Sequence, residues 1–246
     1  MKNNQSTLFL RARQLGLWSI VNHWERFSDA PWLPDLLSIE EAERTQRSLE
    51  RRSKRAKLAR FKPLVDFDWS WPETLDRFLI ESLFSLDFIP SATNILLIGG
   101  HGTGKTMIAK NIAQHAVEKG FSALFVTANA LLNDLAEHGV GTGFLKRLKY
   151  YARPDILVID ELGYLASTTT HADLLFHVVN ERYLQKPIIL TTNKPVTEWQ
   201  DAFPGAPSIV GVVDRLIHQA VNISIEASSY RLKEAQERMK EKKHRR

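Results

Sequence analysis

Glycines set around a lysine and a hydroxyl are the residue types that grip an anion, and residues 99–106 read Gly99-Gly100-His101-Gly102-Thr103-Gly104-Lys105-Thr106. Glycines turn a backbone without a Cβ and aim successive amides at negative charge, and a helix starting near Gly104 adds its own unpaired amides and dipole. The pattern is G-x-x-x-x-G-K-[S/T], in which the lysine supplies a point charge and the hydroxyl binds a bridging cation. It predicts a nucleoside-triphosphate site, with Lys105 on the β and γ phosphates and Thr106 on Mg2+.

A second constellation follows at Asp155-Ile156-Leu157-Val158-Ile159-Asp160-Glu161, a β-branched run ending in two adjacent carboxylates. Such pairs also end ordinary surface turns. Behind a phosphate loop, Asp160 is expected to hold Mg2+ through water, and Glu161 to orient or deprotonate the attacking water. A third run, Pro187-Ile188-Ile189-Leu190-Thr191-Thr192-Asn193, ends in an amide. Asn193 is either a turn former or, if its strand lies beside the phosphate-loop strand, a hydrogen-bond partner of the γ-phosphate or the lytic water.

These side chains need a scaffold that brings strand ends together. Apolar runs predict strands at 94–98, 122–127, 155–160, 188–192 and 221–225, alternating with helical patterns such as Met107, Ile108, Ile112, Ala113, Ala116 and Val117. That alternation predicts an α/β fold with a mainly parallel central sheet. The Gly139–Gly143 segment is a flexible connection or a ligand-ordered loop. Upstream, Leu17, Val21 and Trp24 recur at helical intervals, and Ser38-Ile39-Glu40-Glu41 reads as a helix start with acids in its first turn. The expected organisation is a helical N-terminal domain over 1–62, a linker over 63–73, the ATPase domain over 74–230 and a basic tail over 231–246. The linker's tryptophans, Trp69 and Trp71, are read as packing anchors rather than base-stacking platforms.

At 246 residues and 43% hydrophobic the chain has ample material for a buried core. With no cysteine, disulfides and thiolate metal sites are excluded, and His171 and His177, six apart, fall on different helix faces. No span approaches the ~20 consecutive apolar residues of a membrane helix, and Leu8-Phe9-Leu10 is too short for a signal segment, so a cytoplasmic protein without a membrane partner is expected.

The formal charge of +5 is unevenly placed. From Arg44 to Lys62 the chain carries Arg47, Arg51, Arg52, Lys54, Arg55, Lys57 and Arg60 against the single acid Glu50, and the C-terminal end adds Arg231, Lys233, Arg238, Lys240, Lys242, Lys243, Arg245 and Arg246. Such clusters suit a polyanion, because each neutralised phosphate releases counterions; solvated charged helices carry them too. Double-stranded DNA is the expected partner, with Arg51, Arg52, Lys54 and Arg55 as candidate contacts.

Together, Gly99–Thr106, the Ile159-Asp160-Glu161-Leu162-Gly163-Tyr164 segment, Leu190–Pro195 followed by Glu198-Trp199, Asp214-Arg215-Leu216-Ile217-His218 and Ser229-Tyr230-Arg231-Leu232 resemble the IstB family. These are AAA+ ATPases encoded by insertion sequences, similar to the DnaC-type helicase loaders. The resemblance runs from about residue 8 to residue 235. It implies an AAA+ fold behind a small helical domain and an ATPase that assembles as a homo-oligomer on duplex DNA, remodels it, and recruits and stimulates a cognate transposase.

By the same resemblance Asn193 senses the γ-phosphate, and Arg215 is an arginine finger reaching a neighbour's nucleotide; otherwise Arg215 pairs with Asp214 or Glu226. About twenty residues follow the last strand, too few for the usual AAA+ helical lid, so a lid arginine is missing or replaced by Arg231, and the contacts to the base stay unassigned. The alternatives are a helicase loader and a nucleotide-switched DNA scaffold.

Overall fold

The computed structural model describes residues 2–139, 141–163, 169–203 and 205–244. Tyr164, Arg245 and Arg246 lie outside the described residues, as do the side chains of Lys240, Lys242 and Lys243. The chain forms two compact units, Met1–Arg51 and Arg52–Arg246.

The first unit contains α1 (Lys2–Gln14), α2 (Trp18–Asn22), α3 (Trp24–Phe27) and most of α4 (Leu33–Ala56). Leu8 and Ala12 of α1 and Leu15 just past its end stand at i, i+4 and i+7 and bury against Leu33 and Leu37 of α4. Leu17, Val21 and Trp24 pack on the edge of that core. Arg11 clamps Glu41 with two contacts of 2.8 Å. Helix α4 begins at Leu33, five residues before the expected start at Ser38. Pro34 and Asp35 fill its first turn, where an absent N–H is harmless and an acid suits the dipole, while the Ser38 hydroxyl bonds back to Pro34 O at 2.9 Å.

In the second unit, α5 (Arg77–Ser82) precedes β1 (Asn94–Gly99), α6 (Lys105–Glu118), β2 (Ala123–Thr127), α7 (Ala128–Glu137), α8 (Thr142–Ala152) and β3 (Ile156–Leu162). There follow α9 (Thr169–Arg182), β4 (Ile188–Thr192), α10 (Trp199–Ala202), α11 (Ser208–His218), β5 (Ala220–Ile225) and α12 (Tyr230–His244). The five strands form one sheet in the order β2-β3-β4-β1-β5, with every named pairing parallel. Runs such as Ile95-Leu96-Leu97 and Ile156-Leu157-Val158-Ile159 are fully buried because helices cover both faces of such a sheet.

Strand β4 lies between β3 and β1, so Thr191, Thr192 and Asn193 emerge between the two strands that end in Asp160-Glu161 and the phosphate loop. At the opposite edge, Arg182 is buried to 1% exposure and donates to the carbonyls of Tyr151, Ala152, Pro154, Asp155 and Pro187. It ties the end of α8 to the starts of β3 and β4. Burial pushes its guanidinium down to about 9, so it remains a cation at neutral pH.

Candidate functional site

The loop between β1 and α6 is held by what packs on its glycines. Gly102, at φ +71°, leaves only 2.3 Å between an ideal Cβ and Ser229 Oγ, and Gly104, at φ +97°, leaves 2.5 Å to the Phe67 ring. Neither position accommodates a side chain. Tyr230 N donates to Gly102 O at 3.0 Å, and the buried Thr103 hydroxyl closes the loop onto Gly100 O at 3.0 Å. Lys105 Nζ lies 2.7 Å from Gly99 O and 2.5 Å from Gly100 O. Desolvation pushes its pKa below the ordinary lysine value; Asp160 and Glu161 oppose that shift and Arg231 adds to it. His101 is exposed at the loop's tip.

Across the loop, Thr106 Oγ1 donates to Asp160 Oδ1 at 2.9 Å. Asp160 is 4% exposed. The ladder between β3 and β4 is irregular here: Ile159 pairs with Leu190 and Leu162 with Thr192, so Asp160 and Glu161 together face Thr191 alone. This is a bulge. Glu161 adopts φ +62°, a conformation that costs a non-glycine residue about 1–3 kcal/mol. The buried Thr191 hydroxyl lies 2.6 Å from Asp160 Oδ1 and 2.9 Å from Glu161 N. Asn193 lines the same pocket, and among the described residues its buried Oδ1 has no hydrogen-bond partner.

The pocket has a volume of about 390 Å3 and continues past the loop. Its far end is walled by Lys62, Asp66, Phe67, Asp68 and Trp71 from the segment before α5, by Met107, and by Tyr230, Arg231 and Glu234 of α12. Asn111 of α6 anchors that segment, donating to Lys62 O at 3.0 Å and accepting from Leu64 N at 2.9 Å. Two ion pairs join the segment to α12, Lys62–Glu234 at 2.6 Å and Lys233–Asp68 at 3.1 Å, and Trp71 Nε1 donates to Ser228 O at 2.9 Å. Trp69 stacks with Phe67 as a packing partner, whereas Trp71 both packs and lines the pocket. No site role is assigned from sequence to Phe67, Asn111, Thr191 or Ser229, although Thr191 and Ser229 stand in segments that carry the family resemblance.

The remaining predicted residues lie elsewhere. Arg215 Nε donates to Asn180 Oδ1 at 3.2 Å and Nη1 to Gly211 O at 3.1 Å, and the guanidinium sits 4.7 Å over the Phe176 ring. Among the described residues these contacts, rather than Asp214 or Glu226, hold it. The next residue, Leu216, accepts from the Asn94 side chain at the opening of β1, so Arg215 belongs to the sheet edge opposite the phosphate loop, ~17 Å along the strand at ~3.3 Å per residue. Arg51, Lys54 and Arg55 are exposed on α4. Arg52 Nε instead donates to Val117 O at 3.1 Å, capping the C-terminal end of α6.

A parallel sheet with a glycine loop at its carboxyl edge, a lysine and hydroxyl opening the next helix and a carboxylate pair on a nearby strand define an AAA+ P-loop ATPase. The family described as IstB-like ATP binding protein matches residues 19–238, and the chain belongs to it. It is 34% identical to an ATP-binding protein of insertion sequence IS5376 from Geobacillus stearothermophilus, over 92% of this chain and 90% of the relative. The fold is shared with DnaI at a TM-score of 0.57 and 21% identity, covering 68% of this chain and 92% of that one. It is also shared with AMPPCP-bound DnaA from Aquifex aeolicus at 0.52 and 23%, covering 67% of this chain and half of that one (50%). Among the described residues no helix is long and apolar enough to cross a membrane, and no group of three or more His, Cys, Asp or Glu side chains could hold a metal ion.

Proposed function

We propose that this chain is a DNA-binding transposition helper that assembles on duplex DNA, remodels it and recruits a cognate transposase, hydrolysing ATP at contacts between neighbouring copies. One observation carries the reading: the bulge turns two consecutive carboxylates, Asp160 and Glu161, into the pocket that also holds Lys105 and Thr106. Membership of the family and the insertion-sequence setting of its relative support the transposition context.

The residues fit both absent groups. A triphosphate suits a loop whose Gly102 and Gly104 admit no Cβ, and Mg2+ suits a hydroxyl and a carboxylate, hard oxygen donors 2.9 Å apart at Thr106 and Asp160. When bound, Mg2+ neutralises charge on the phosphate oxygens. Lys105, held at the loop mouth by two carbonyls, supplies the cation for the β and γ phosphates. Glu161 takes a proton from the attacking water as its oxygen bonds to the γ phosphorus; the bond to the bridging oxygen breaks and ADP leaves with that electron pair. Asn193 fixes the water by accepting at its unpartnered Oδ1, or the γ-phosphate by donating from Nδ2. The aromatic far end of the pocket, Phe67, Trp71 and Tyr230, receives the base and ribose.

Arg215 acts on a neighbour's nucleotide, because its own pocket lies at the other sheet edge. Arg51, Lys54 and Arg55 contact phosphates of duplex DNA. The helicase-loader alternative draws only on the shared fold.

The test is Glu161→Gln. ATP binding and assembly on DNA should persist while turnover falls by ~10²–10⁴-fold, and unchanged turnover would remove Glu161 from the chemistry. A nucleotide-switched scaffold would keep its full stimulation of the transposase in this variant.

A further inference from the structure

In a regular strand, successive side chains point to opposite faces, so Asp160 and Glu161 should not both reach one pocket. They do so because β3 spends two residues where β4 spends one, and that one residue is Thr191. The extra residue in a bulge loses its ladder partner. Here Glu161 N is satisfied by the Thr191 hydroxyl instead, at 2.9 Å. An amide can only donate, so at that contact the hydroxyl is the acceptor, and its single proton is left for Asp160 Oδ1 at 2.6 Å. Thr191 is fully buried, which removes water as a competitor for either contact. Its strand neighbour Leu190 remains in regular register with Ile159, so the hydroxyl stands on a fixed backbone.

The geometry points to Thr191 as the positioning residue of the site: its one hydroxyl orients the Asp160 carboxylate for the cation and pins the left-handed backbone of Glu161 that presents the general base. It touches neither phosphate nor water; it sets the relation between two groups that do. A methyl-for-hydroxyl exchange would leave Glu161 N without its acceptor and the Asp160 carboxylate held by Thr106 alone. Both carboxylates would then be present and misdirected. The inference rests on the proposed ATPase reading of the pocket.

The experiment compares wild type, Thr191→Val, which keeps the shape and loses the hydroxyl, and Thr191→Ser, which keeps the hydroxyl. AMPPCP affinity is measured by calorimetry with and without Mg2+, Mn2+ binding to the nucleotide complex by electron paramagnetic resonance, and kcat and KM for ATP on duplex DNA. Thr191→Val should bind AMPPCP without metal to within about twofold of wild type, lose the gain that Mg2+ confers and show a weakened Mn2+ signal. Its kcat should fall ~10- to 100-fold with KM for ATP raised by no more than the lost Mg2+ gain, and Thr191→Ser should recover to within about threefold of wild type.

Wild-type metal dependence and kcat in a folded Thr191→Val would overturn the proposal. If Thr191→Val does not fold, Thr191→Cys, a poor donor of similar size, replaces it with the same expectations. Failure of both to fold while Thr191→Ser folds would assign the hydroxyl to the fold alone, which also overturns the proposal. Turnover unchanged by Glu161→Gln would instead remove the general-base role on which the inference rests, a result visible before Thr191 is touched.

Discussion

Thr106 Oγ1 lies 2.9 Å from Asp160 Oδ1, so the first turn of the phosphate-loop helix and the carboxyl end of β3 are joined by one hydrogen bond at the place where a divalent cation would be held. The same carboxylate oxygen accepts from Thr191 on the other side. Asp160 is thereby fixed from helix α6 and strand β4 before any substrate enters, the preorganisation that charge stabilisation requires.

Asp160→Asn separates that geometry from its charge. The amide retains an acceptor for Thr106 and nearly the same volume at a site that is 4% exposed, so the variant should fold. AMPPCP affinity should lose its Mg2+ dependence and turnover should fall by at least ~100-fold. Calorimetry with and without Mg2+ checks the first expectation and phosphate release the second.

Gly104→Ala should dislodge the segment before α5. Its Cβ would sit 2.5 Å from the Phe67 ring, and a φ of +97° adds backbone strain of about 1–2 kcal/mol for any other residue. Melting temperature and ATP affinity should both drop. A variant with both unchanged would show that Phe67 does not cover the loop.

Phe67→Ala and Tyr230→Ala should weaken ATP binding while leaving inorganic tripolyphosphate binding near the wild-type value, because their rings line the pocket as stacking surfaces for a base, whereas the phosphates are held by Lys105 and the loop amides. An aromatic contact to a base contributes about 1–3 kcal/mol, so the loss of ATP affinity should be roughly 5- to 150-fold. Equal losses for both ligands would place the base elsewhere.

Nucleotide binding should weaken at alkaline pH sooner than an ordinary lysine would dictate. Lys105 is lowered from 10.5 mainly by desolvation, so its proton leaves the folded protein first. Between the lowered value and 10.5 the folded state binds fewer protons than the unfolded one. Stability from this group therefore rises with pH in that window while phosphate affinity falls. Lys105→Arg, which keeps its charge, should flatten the affinity profile measured as pH rises toward 10.5.

DNA binding should depend steeply on salt. Replacing Arg51, Lys54 and Arg55 with alanine should reduce the slope of log affinity against log salt by ~2.7, about 0.9 for each phosphate contact. Arg52 is left out because its contact with Val117 O caps α6, so Arg52→Ala would mix a stability loss into the readout. An unaltered slope moves the DNA surface elsewhere.

Much of this site was legible as residue types in order. The phosphate loop follows from glycines around Lys105 and Thr106, and the five strands from apolar runs that match the observed ones within one or two residues. Asp160 and Glu161 could be named, but not the bulge that aims them, because nothing in Ile159-Asp160-Glu161-Leu162 distinguishes a bulged strand from a regular one. Lys233 looked like part of a free basic tail and instead pairs with Asp68, 165 residues away. Contacts of that range depend on tertiary packing, which a local pattern does not encode. The start of α4 was missed for a local reason: Ser38 with acids behind it mimics a cap, while Pro34 and Asp35 were the better signal.

The central claim, hydrolysis shared between neighbouring copies, is tested by mixing two inactive variants. Arg215→Ala keeps its own phosphate loop and should bind ATP; Glu161→Gln keeps Arg215. In a head-to-tail assembly formed from equal amounts, about a quarter of the contacts pair the intact Arg215 of one copy with the intact Glu161 of the next, so turnover on DNA should recover to roughly that fraction of wild type. A mixture no more active than either variant alone, with mixed assemblies shown to form, would contradict the account and leave Arg215 as a partner of Asn180 and Phe176 within its own chain.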